Sequence, residues 1–186
     1  MTYPRIASIM LMALLFAVGC DAPPKQTAIT SDRPATDLDY ERLKNLSGDW
    51  YLVSGVRLGV ELEPDLEDPF LSYSVSSGGH SVIEKLFAGK PNEMTSVYYL
   101  DSGRLMMDHY CSLGNQPRMV AIAGSENTIP FQLITVSNLS DKNELHISSH
   151  SLTFDGPNEL TATWGATEDE KPGGGSRYTV RRSPAP

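Results

Sequence analysis

The chemistry-bearing residues of this 186-residue chain gather in one stretch. His109, Tyr110 and Cys111 stand together, and Asn115 and Gln116 follow a few residues on. On a strand, His109 and Cys111 share one face, with Cα atoms about 6.5 Å apart, because side chains alternate. A thiol beside an imidazole is a nucleophile and base, provided the thiolate is stabilised and the base oriented. No orienting residue is evident from the sequence. A lone histidine on a barrel wall is also a candidate axial ligand for haem. The same residues, with Met107 and Tyr98 beside them, make an adaptable lining for a small apolar ligand. They are equally ordinary core residues, and a Gly-Asn-Gln-Pro run is equally a structural turn with its amides pinned to backbone.

The remaining histidines carry weaker signals. His146 and His150 form an HxxxH pair, but in the strand-like context LHISSHSLTF that spacing separates them by about 13 Å, too far for a shared metal. His80 sits at a turn. The acidic cluster Glu61, Glu63, Asp65, Glu67 and Asp68 fits no EF-hand spacing and reads as a solvated loop.

The element that must position the site is Met94 to Met119. Residues 95–100 are rich in β-branched and aromatic types, Asp101-Ser102-Gly103 is turn chemistry, and residues 104–111 return. That pattern is a hairpin. A two-residue and a three-residue turn both fit. The inward face is therefore either Met107, His109 and Cys111, or Met106, Asp108 and Tyr110. Further strands are expected at 49–57, 70–76, 80–87, 117–123, 130–137, 144–154, 158–165 and 176–182, with turn residues between them. Lys171-Pro172-Gly173-Gly174-Gly175 reads as a flexible hairpin turn. Thr36 or Asp37 can cap a short helix through about Lys44. Many short strands in simple succession predict an all-β fold: a single antiparallel up-and-down barrel of eight to ten strands with a short N-terminal helix.

The run HYCSLGNQPRM, with the upstream EKLFAGKPNEMTSVYYLDSGRLMMD, resembles a family of uncharacterised bacterial proteins with a calycin-like (lipocalin-like) β-barrel. The matching residues are Pro91, Glu93, Met94, Val97, Tyr98, Asp101, Leu105, His109, Tyr110, Cys111, Gly114, Asn115, Gln116, Pro117, Arg118 and Met119. Asn92 and Tyr99 stand where histidines are usual, and Ser102 where the turn glycine is usual. The resemblance implies the barrel fold and no established activity. Gly48-Asp49-Trp50 after a short helix is similar to the opening of lipocalins. That similarity implies that Trp50 closes one end beneath a basic residue of the last strand, Arg177 or Arg181.

The N-terminus reads as an export signal. Arg5 precedes an apolar run from Ile6 to Gly19, too short to span a membrane, and Ala17-Val18-Gly19-Cys20 resembles a lipobox. This divides the chain into a lipoprotein signal peptide (1–19), a lipidated Cys20 with a disordered tether (20–36), and a barrel domain (37–186). Asp21 points to the inner membrane, on its periplasmic face. With Cys20 acylated, Cys111 has no intrachain partner. A net charge of −8 without a basic stripe argues against nucleic acid. The expected function is binding of a small hydrophobic or amphipathic ligand at His109, Tyr110, Cys111, Asn115, Gln116, Met107 and Tyr98. The alternative is an envelope interaction protein with a filled barrel. The third reading is a Cys/His-dependent enzyme or haem binder.

Overall fold

The computed structural model describes residues 37–182. The signal segment, Cys20 and the tether lie outside the described residues. Helix α1 (Asp37–Lys44) leads into β1 (Gly48–Arg57) and the short β2 (Val60–Leu62). Then follow β3 (Leu71–Ser76), β4 (Ser81–Leu86), β5 (Met94–Asp101), β6 (Arg104–Tyr110), β7 (Gln116–Ala121) and β8 (Thr128–Ser137). β9 (His146–Phe154), β10 (Glu159–Glu168) and β11 (Lys171–Arg181) complete the chain. Each strand pairs antiparallel with its sequence neighbour from β3 onward, and β1 pairs with both β3 and β11. The result is a closed ten-strand up-and-down barrel, with β2 as a small flap on β1. Closure removes the exposed strand edges that so many short strands would otherwise present.

The hairpin β5–β6 settles the inward face. Its turn is the two-residue kind: Ser102 and Gly103 both have positive φ, 52° and 77°, and Asp101 pairs with Arg104. Alternation from that register buries Leu105, Met107 and His109, and sends Asp108 and Tyr110 to the outer side.

α1 closes one end. Tyr40, Leu43 and Leu46 are buried there above Trp50, whose indole N–H donates to the Leu46 carbonyl at 2.8 Å. Arg42 lies over the Phe154 ring at 4.0 Å and donates to the Glu126 carbonyl at 3.1 Å. The cation over Trp50 is Arg182, 4.7 Å from the ring, rather than Arg177 or Arg181. The reason is again alternation. Tyr178 and Val180 are buried and Arg182 follows on their side, while Arg181 pairs outside with Glu159 at 2.9 Å.

Two sequence expectations are corrected. β2 was not foreseen; Leu58 and Gly59, with φ of 49° and 83°, turn the chain back on β1 directly. The glycine run is strand and not turn. The actual turn is Asp169-Glu170, with φ of 51° and 60°, and Gly173 and Gly175 lie within β11. A Cβ on Gly175 would stand 2.9 Å from the Trp164 carbonyl oxygen, and one on Gly173 would stand 2.9 Å from Leu145. Those glycines serve close strand approach, not flexibility.

Candidate functional site

The middle of the barrel is polar and fully occupied. Glu84 points inward from β4, between Val82 and Leu86, and is buried. Tyr73 from β3 and Tyr98 from β5 place their hydroxyls 2.7 and 2.8 Å from its Oε2. Ser96 Oγ is 3.3 Å from Oε1 and 3.0 Å from His109 Nδ1. Tyr98 also reaches His150 Nε2 at 3.3 Å, and His150 Nδ1 lies 3.0 Å from the Thr163 carbonyl. A continuous hydrogen-bonded chain therefore runs His150–Tyr98–Glu84–Ser96–His109. Trp164 covers it from β10. Its ring stacks on His150 at 3.7 Å and tilts against His109 at 4.7 Å.

Burial sets the charge states. It raises the Glu84 carboxyl above its usual range, against the opposing pull of the Tyr73, Tyr98 and Ser96 hydroxyls. It lowers His109 to about 4. It lowers His150 to about 3, against the Thr163 carbonyl and with a small push from His109. Both imidazoles are neutral at physiological pH. A carbonyl can only accept, so His150 carries its proton on Nδ1 and offers Nε2 to the Tyr98 hydroxyl. Tyr98 has one proton for two acceptors: it donates to an ionised Glu84 at Oε2, 2.8 Å away, and is free to donate to His150 only when the neutral acid, protonated on Oε2, donates to it.

Above this network, at the end away from α1, a cavity of about 90 Å³ opens to solvent. His109 and Trp164 form its inner part, Met94, Ile147 and Ala166 its walls, and Arg57 and Leu113 its mouth. Its lining is mostly apolar. A bulge opposite Gly165 turns Ile147 inward beside Ala166. Arg57 lies over the Phe87 ring at 4.7 Å, and no ion pair engages it among the described residues. Phe87 is held at φ 58°, uncommon for a bulky residue, and packs on Phe70 and Tyr178.

Of the residues expected at the site, His109 and Cys111 line the cavity. Tyr98 lies deeper, in the network, and Met107 is wholly buried in the core. Tyr110 faces outward and is 52% exposed. Asn115 is buried and pins its loop to β9 by donating to the Leu145 carbonyl at 3.0 Å, while Gln116 donates to the Gly114 carbonyl at 2.9 Å. These two amides hold the turn. The Cys111 thiol lies 3.9 Å from the Met94 sulfur, and burial raises its pKa, so it is held protonated. His109 does have the orienting partner that the sequence did not reveal, namely Ser96. For haem, His109 is the residue to hold an axial bond. The space beside it is about 90 Å³, and a tetrapyrrole does not fit. Among the described residues no group of three or more His, Cys, Asp or Glu could hold a metal ion.

Sequence reasoning misses Glu84, Ser96 and Trp164, and weighs His150 only as half of an HxxxH pair. Val82-Ile83-Glu84-Lys85-Leu86 did carry a signal: an acid in phase with two inward apolar residues. Trp164 and His150 are cross-strand partners in the β9–β10 register, which single-strand patterns do not disclose. No protein-family model matches the chain, and a search of curated proteins finds no match.

Proposed function

We propose that this chain is a cell-envelope lipoprotein, anchored through Cys20 on the periplasmic face, whose barrel binds a small, mostly apolar molecule at its open end. The lipobox-like Ala17-Val18-Gly19-Cys20 supports the anchor. The observation that carries the binding reading is the apolar cavity of about 90 Å³ that ends on His109 and Trp164. Its size suits a single ring or a short branched chain, and Arg57 at the mouth disfavours cations. No helix among the described residues is long and apolar enough to cross a membrane.

The test uses the chain carrying Cys20→Ser, which removes the acylation site. Toluene is titrated while tryptophan fluorescence is followed, since Trp164 lines the cavity. Wild type gives a saturable change. Ala166→Leu, which fills the cavity, abolishes it and keeps the unfolding midpoint. A response that does not saturate, or that is equal in both chains, favours the second reading. That reading is a filled barrel that docks a partner through its rim, where Leu58 and Leu113 are about half exposed.

A further inference from the structure

Two residues that line the cavity carry polar atoms whose needs the protein leaves open. The first is the Trp164 indole N–H, which is buried and has no hydrogen-bond partner. The second is His109 Nε2, for which no partner exists among the described residues, although Nδ1 is bonded. Which of the two His109 nitrogens carries the proton follows from the network. Ser96 has one hydroxyl proton and two neighbours that want it, Glu84 Oε1 and His109 Nδ1. Oε1 is buried and has Ser96 as its donor. If Ser96 gave its proton to His109 instead, Oε1 would lose that donor. The Nε2–H of the opposite tautomer would also point at no acceptor. Both losses are avoided when Ser96 donates to Glu84 and His109 donates from Nδ1 to Ser96. This holds for an ionised Glu84 and for the neutral acid with its proton on Oε2, since Oε1 needs a donor in both. His109 therefore carries a bare Nε2 lone pair, and the Trp164 ring packed against it carries an unanswered N–H.

We infer that the ligand carries a neutral hydroxyl at its inner end, which donates to His109 Nε2 and accepts from the Trp164 indole. The inference rests on the proposed binding role and narrows its ligand class to small alcohols or phenols. An acceptor-only group, such as a halide, an ether or an ionised carboxylate, meets lone pair against lone pair at His109. A hydrocarbon leaves both protein atoms buried and unmet.

The experiment compares phenol, toluene and fluorobenzene, three rings of nearly equal size, by calorimetry on the Cys20→Ser chain. Phenol binds about tenfold more tightly than toluene, the worth of roughly one net hydrogen bond, and fluorobenzene falls with toluene. In Ser96→Ala the His109 tautomer is no longer dictated, so the phenol advantage shrinks while toluene affinity holds. Long-range proton–nitrogen spectra of the unmodified protein give an independent readout. Both buried histidines are expected as the Nδ1–H form, and an Nε2–H form at His109 overturns the inference. Equal affinities for phenol and toluene mean that a water answers both atoms, which removes the hydroxyl and leaves the binding role standing. No saturable binding of any ring removes the binding role as well.

Discussion

Glu84 is an acid at the centre of a barrel, held by three hydroxyls and by no cation among the ion pairs of the described residues. Its carboxyl in an unfolded chain ionises near 4.5, and the native group ionises higher. Between those two values the unfolded state has released a proton that the native state keeps. Stability from this group is therefore complete below 4.5 and declines as pH rises. Glu84→Gln copies the neutral acid, and its amide donates where the Oε2 proton did. It is expected to fold, and in urea unfolding its stability relative to wild type rises as pH climbs above 4.5, until the native carboxyl has ionised. A flat difference would mean that Glu84 is already ionised in the native barrel. The two buried histidines act in the opposite sense. Native His109 and His150 stay neutral down to about 4 and about 3, while the unfolded residues take up protons below 6.5. Their stabilisation is present above 6.5 and lost as pH falls, by about 4 kcal/mol for the pair at pH 5. His150→Phe, whatever its absolute stability, has the shallower acid limb.

At the scale of elements, the β5–β6 turn is the most direct control of the site, because its length decides whether His109 or Tyr110 faces inward. Ser102 occupies a positive-φ position that asparagine tolerates better, and Asn-Gly is the favoured two-residue turn. Ser102→Asn is expected to raise stability by about 0.5 kcal/mol with ring affinities unchanged. Gly175→Ala pushes a methyl against the Trp164 carbonyl and is expected to cost about 1–3 kcal/mol, read as a lowered urea midpoint. These two positions also mark how far the sequence could be read. Strand existence was legible, because alternation and turn residues act within a few positions of each other. Residues 104–111 were recognised as a strand, but their facing waited on whether Ser102 or Gly103 absorbed the turn. The glycines of β11 were misread because the close approach that requires them comes from β10 and from Leu145, which local composition does not encode. The site was half legible for the same reason. His109 and Cys111 share a strand, and alternation alone pairs them. The partners that give His109 its chemistry arrive from β4, β5 and β10, across pairings that only the closed ring defines.

The whole molecule divides into a closed end and an open end with the polar network between them. Arg182 belongs to the closed end, where it covers Trp50 and donates to the carbonyls of Ser47 and Asn45. Replacing it by methionine keeps the apolar cover over the indole but removes the cation and both donors. The expected cost is about 2 kcal/mol, from the lost cation–π contact and two exposed charge-assisted bonds. The cavity lies at the other end of the barrel and shares no residue with this cluster. Well-separated perturbations add, so Arg182→Met and Ala166→Leu should combine in urea unfolding to within about 0.5 kcal/mol. Arg182→Met alone should leave toluene affinity within twofold. A larger loss of affinity would show that the barrel transmits strain from Trp50 through Glu84 to His109. The network would then be a coupling element between the N-terminal helix and the cavity, and not only the cavity's floor.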